Sequence, residues 1–123
     1  MQFRWIATAT AGLCASLAMT LFFFPVALYW LFGVEGSSLG DFFGRRAGFL
    51  FVILSGVAFA VRDLEPSHAR NTVGDAFALG MLGLAVLGTI EWARGFAGPG
   101  IFVAVAGELV IALLFLKTRT RVP

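Results

Sequence analysis

Apolar residues run along this chain in four long blocks separated by three short polar breaks. The first block, Trp5 to Phe32, is nearly all apolar and, at about 20 residues per crossing, is long enough for one tilted transmembrane helix. Pro25 lies inside it and predicts a kink, because proline lacks a backbone donor and its ring crowds the carbonyl of Leu21. Gly33 to Gly40, carrying Glu35, Ser37 and Ser38, reads as a loop, and Asp41 is placed to begin the next helix. That second span runs from Asp41 to about Val61. Arg45 and Arg46 lie roughly one turn inside its start, so its uninterrupted apolar part, Ala47 to Val61, is short. Arg62, Asp63, Glu65, Pro66 and His68 make the next polar break. The third span takes Asn71 to Arg94, with Asp75 near one end and Glu91 near the other. A tight turn from Gly95 to Gly100, containing Pro99, leads to a fourth span, Ile101 to Leu116, built around Glu108.

Four spans with short connections predict an all-α fold: an integral membrane, antiparallel bundle of four transmembrane helices in a single domain, residues 1–123. Met1 to Arg4 followed by an apolar run and the small residues Ala15 to Ala18 also resembles a signal peptide. The run continues through Phe22, Phe23, Phe24 and Val26, well beyond such a peptide's apolar region, and therefore reads as a span. One end of the bundle collects Arg4, Arg62, Arg70, Lys117, Arg119 and Arg121; the other has Arg45, Arg46 and Arg94. The positive-inside rule then puts both termini in the cytoplasm. Trp5 at one interface and Tyr29, Trp30 and Trp92 at the other suit aromatic belts.

Composition removes several alternatives. Of 123 residues, 59% are hydrophobic and 13% charged, and the mean hydropathy is +0.92, far from the balance of a soluble domain. The net charge of +2 is dispersed over helix ends and loops, which argues against a nucleic-acid partner. A lone Cys14 excludes an internal disulfide and reads as a packing residue. His68 is the single histidine, so paired-histidine haem ligation within one chain is impossible, and a solvated loop position is expected for it. No cofactor or metal is called for. The expected partners are membrane lipids and either further copies of the chain or a larger membrane complex.

Ionisable groups cost a few kcal/mol or more in hydrocarbon, so they usually face protein or a water-filled cavity. Threaded through the predicted topology, Arg45, Arg46, Glu91 and Glu108 fall at matching depths in the outer half of the bundle, with Glu108 about 10 Å from its helix start. They are expected to meet as a cluster. The cluster can be read as a static ion-pair network that fixes helix register, or as a ligand or proton site. Asp75 lies about 160° around its helix from Glu91 and belongs to a second polar site, with Arg62, Arg70 and Asn71 as expected partners and a favourable position near a helix start. Ala76, Gly80 and Gly83, at helical spacing, suggest helix packing within or between subunits.

A short four-span chain with a polar Arg-Arg-x-Gly entry to its second helix, at Arg45, Arg46 and Gly48, resembles the small bacterial four-helix membrane proteins grouped loosely with the DoxX-like proteins. The resemblance covers most of the chain, is architectural, and implies a bacterial inner-membrane setting without assigning a catalytic residue. Three functional readings follow. The leading one is a non-enzymatic structural or assembly subunit, or a homo-oligomer. The alternative is small-molecule, lipid or ion binding or transport, with Glu108 as a titratable intramembrane carboxylate. An enzyme comes third, since the sequence offers only carboxylates and arginines and no nucleophile beside a base.

Overall fold

A computed structural model describes residues 2–121 as five α-helices with no strand among them. The first block is two helices, α1 (Phe3–Phe23) and α2 (Pro25–Phe32). The proline effect is thus a complete break: Phe24 leaves helical geometry at φ −138° and ψ 52°, and Pro25 starts α2 at its first position, where a missing donor costs nothing. The second helix of the prediction, α3 (Ser38–Ala60), starts three residues before Asp41 because Ser37 caps it, accepting from the Gly40 amide at 2.9 Å. Its successor, α4 (His68–Ala93), likewise starts three residues before Asn71, capped by Ser67. His68 is therefore an exposed first-turn residue and not a loop residue. The last helix, α5 (Ile101–Lys117), falls where the apolar block puts it.

Three of these helices, α1, α3 and α4, are long and apolar enough to cross a membrane. With 17 residues, α5 is about 25 Å long and shorter than the other three. The lateral order is α3, α1, α5, α4: α1 packs along α3, α5 packs along α4, and α1 and α5 join the two pairs. Consecutive in sequence, α3 and α4 are not closely packed. An apolar groove of about 370 Å³ opens between them, lined by Phe51, Leu54 and Val57 on one wall and Val73, Gly80 and Leu84 on the other.

Between lipid-embedded helices the hydrophobic effect supplies little, so close packing and hydrogen bonds must hold them. At the end carrying both termini, Phe115 meets Phe3 edge-on with ring centroids 5.8 Å apart and stacks on Phe77 at 5.4 Å. That triad ties α1, α4 and α5 together and lies in a core with Ile6, Ala58 and Met81. Further along, Ser55 donates to the Ala11 carbonyl at 2.8 Å, joining α3 to α1. Phe22 lies against Gly48, and the absence of a side chain at Gly88 admits Val105 and Ile101. Cys14 is fully buried, as a packing residue should be.

At the opposite end two connections touch backbone to backbone. Gly33 closes α2 in the left-handed region, with φ 64°, and the Gly98 amide donates to the Phe32 carbonyl at 2.7 Å. Gly100 lies so close to Leu31 that a β-carbon there would fall on the Leu31 carbonyl oxygen. A backbone atom cannot swing aside as a flexible side chain can. Gly100→Ala is therefore expected to destabilise the bundle by about 1–3 kcal/mol. Gly107→Ala, where a β-carbon meets only open space, should stay within about 0.5 kcal/mol of the parent. Reversible unfolding in mixed micelles measures both, and equal stabilities would sink the argument.

Candidate functional site

The structure does not assemble Arg45, Arg46, Glu91 and Glu108 into a buried cluster. Arg45 and Arg46 are exposed, and neither has an ion-pair partner among the described residues. Glu91 instead pairs with Arg94, the residue that caps the end of its own helix, at 3.1 Å. The physical reason is lateral. Matching depth brings charges together only when their helices are neighbours, but α3 packs on α1 and not closely on α4 or α5, and neither of its arginines lines the groove that separates it from α4.

Glu108 is placed differently. At 100° per residue its side chain falls among Ile101, Val105, Ala112 and Phe115, and three of these, Val105, Ala112 and Phe115, are the buried residues of α5. The carboxylate thus emerges from the inward stripe of the helix. It is half-buried, and its Oε2 is buried with no hydrogen-bond partner. No cation of the chain reaches it within ion-pair distance among the described residues.

The second predicted site also has different partners. Asp75 is paired with Arg119, which grips it through two bonds, Nε to Oδ1 at 2.7 Å and a terminal nitrogen to Oδ2 at 2.9 Å. Hydrogen bonding to Asp75, reinforced by its charge, raises the Arg119 pKa above its ordinary value. Asn71 reads the backbone of Thr120 in both directions, donating to its carbonyl at 2.7 Å and accepting from its amide at 3.2 Å. Arg70 donates to the Thr118 carbonyl at 3.4 Å while its guanidinium lies 4.9 Å over the Phe3 ring. Arg62 faces away from Asp75: it stacks over Phe59 at 3.7 Å and approaches Asp63, which also pairs with Arg4. So Arg70, Asn71 and Asp75 form a dock for the segment after α5, and Arg62 belongs to a separate pair of connections.

Several polar contacts lie outside the sequence reading. Tyr29, expected as a belt residue, also donates to Asp41 at 2.7 Å and rests on Gly36 and Gly40. This fixes the α2–α3 connection. Arg119 enters the sequence reading only among the basic residues of one end of the bundle, although its place two residues past α5, at the same end as Asp75, is a usable signal. Thr10 gave none: it is an unremarked hydroxyl in an apolar run, yet it is fully buried with its Oγ1 unpartnered.

No protein-family model, no curated protein and no solved structure matches this chain. The site must therefore be argued from its own residues.

Losing the Asn71 side chain leaves the Thr120 amide without its acceptor. For Asn71→Ala, amide exchange at Thr120 is expected to rise by about five- to tenfold, the worth of one net hydrogen bond. Arg119→Gln should free the same segment, while exchange in the middle of α4 stays unchanged. Native-state hydrogen exchange reads both, and a Thr120 amide indifferent to both changes would overturn the dock.

Proposed function

We propose that this chain is a non-enzymatic, four-crossing membrane protein that acts as a self-associating structural subunit. The observation that carries the reading is the open side between α3 and α4. Only Gly48 and Ala58 of α3 are buried, and a β-carbon at Gly56, Gly80 or Gly83 would meet nothing within 4 Å. Gly80 and Gly83 of α4 are therefore unused within the subunit, while the usual role of such residues is to let helices approach. A second copy related by a two-fold axis along the membrane normal suits this side, because such an interface pairs a surface with itself. Charge supports the same occupant: by helical periodicity Arg46 flanks the groove stripe of α3 and Glu91, which pairs with Arg94 within the chain, continues that of α4 toward the outer end, so a two-fold copy brings one chain's arginine toward the other's carboxylate.

In this reading α5 is the fourth crossing, and the excess of arginine and lysine at the end with the termini sets that end in the cytoplasm of a bacterial cell. A second reading is favoured by the unpartnered Oε2 of Glu108, which supports a titratable intramembrane carboxylate serving small-molecule, lipid or ion binding.

Cysteine cross-linking tests the self-association. In a Cys14→Ser background, Leu84→Cys, in the groove, is expected to give disulfide dimers on oxidation in lipid, and Val103→Cys, exposed on α5 outside it, is not. Gly80→Leu should weaken association at least about tenfold, since one misfitted side chain at an interface centre costs more than 1.4 kcal/mol. A single-copy mass in lipid nanodiscs together with equal cross-linking at both positions would eliminate the proposal.

A further inference from the structure

The buried end of Glu108 has a counterpart on α1. The Phe3 and Phe115 rings, 5.8 Å apart, mark one level of the seam between α1 and α5. Thr10 lies seven residues beyond Phe3, and Glu108 seven residues before Phe115, in helices that run in opposite directions. Both steps climb about 10 Å toward the far end, and seven residues at 100° return to within about 20° of the starting direction. Thr10 and Glu108 therefore leave their helices at one depth and on the faces that bring the two rings together.

Their hydrogen bonding is exceptional in the same way. Five other helical hydroxyls are satisfied locally, Thr8, Ser16, Thr20, Thr72 and Thr89 each donating to the carbonyl four residues back at 2.8 to 2.9 Å, and Ser55 donates across to Ala11. Thr10 does neither. Its Oγ1 and the Oε2 of Glu108 are buried atoms without partners, and Thr10 has no exposed surface at all. The two orphaned polar atoms are not bonded to each other in the structure, but helical periodicity puts them at one depth on the α1–α5 seam, and each lacks what the other can supply.

We propose that Glu108 and Thr10 form a proton-holding site at the centre of the bundle, in which Glu108 is a neutral carboxylic acid hydrogen-bonded, through its own proton, to the Thr10 hydroxyl. This rests on the second reading above and names its ligand class, the proton. Among the described residues no arginine or lysine is placed to balance a charge there. The α4 residues buried at this level, Met81 and Ala85, do not titrate. On α1 the other titratable group near the seam is the Cys14 thiol, one turn beyond Thr10 and also buried. A carboxyl and a hydroxyl are too few donors for a metal ion, whereas they suffice for one proton: the carboxyl donates when protonated, and the hydroxyl turns to donate when the proton has left.

Infrared difference spectroscopy of the full chain in lipid, with Glu108→Gln as reference, tests both levels. A protonated-carboxyl C=O band is expected at neutral pH in the parent, absent in Glu108→Gln and shifted to higher frequency in Thr10→Val, which keeps the shape of the side chain and removes its hydroxyl. Labelling by dicyclohexylcarbodiimide, an apolar reagent that attacks protonated carboxyls, should concentrate on Glu108 and fall at least fivefold when the pH is raised far enough to abolish the band. If no such band exists, the second reading and this inference fail together. If the band is present but identical in Thr10→Val, Glu108 holds its proton alone and the paired site is overturned. Circular dichroism identical to the parent's certifies that each variant is folded.

Discussion

The position of α1 between α3 and α5 is the constraint on which the rest of the structure depends. Its inward residues include Ala7, Ala11, Cys14 and Ala18, small enough for close approach, with Phe3 and Ile6 at the end that must reach across to α5. The face of α1 turned to α3 supplies the Ala11 carbonyl that Ser55 seeks; the face turned to α5 supplies the Phe3 edge on which Phe115 rests. Because lipid is as apolar as the helices, only such close packing and directed bonds discriminate this lateral order from another. With α1 packed along α3 and α5 along α4, α3 and α4 face each other across an unfilled gap instead of packing together. The open groove, the unpaired arginines of α3 and the isolation of Glu108 all descend from that one arrangement.

Much of the helical layout is legible in one dimension. Four apolar blocks give the helices, and Pro25 gives the break after α1, since hydrocarbon forces each segment to satisfy its own backbone. α3 and α4 begin three residues before the positions their apolar patterns predict because Ser37 and Ser67 cap them, and a capping serine outweighs the apolar pattern in deciding where a helix begins. The membrane reading rests on α1, α3 and α4, while α5 is too short to carry it by length alone.

The polar sites were less legible because the sequence gives depth but not lateral order. Arg45, Arg46 and Glu91 share a level and still do not meet, since α3 and α4 are separated there by an open groove and are not packed together. Asp75 illustrates the converse: its partner, Arg119, lies beyond the last helix, where a short basic segment looks solvated until Asn71 and Arg70 are seen holding its backbone. A carboxylate flanked by apolar residues is easily noticed, so Glu108 stood out. Thr10 did not, because a threonine in a membrane helix ordinarily bonds to its own backbone, and only the three-dimensional structure shows that this one departs from the habit.

Polar groups are thus distributed unevenly along the bundle axis. Toward both ends many are engaged, Arg119 with Asp75, Arg4 with Asp63, Tyr29 with Asp41 and Gly98 with Phe32, although Arg45 and Arg46 have no ion-pair partner among the described residues and the buried Arg70 Nε and Thr120 Oγ1 have no hydrogen-bond partner. Those contacts are made where water can share the cost of misalignment, and each fastens a connection or a chain end rather than two helix midsections. In the middle, where no water shares that cost, Thr10 and Glu108 are left without partners. Stability selects against such groups, because an apolar pair of equal shape would pack without penalty. The contacts at the ends hold the helices in register without engaging Thr10 or Glu108, which is the arrangement the proposed proton site requires.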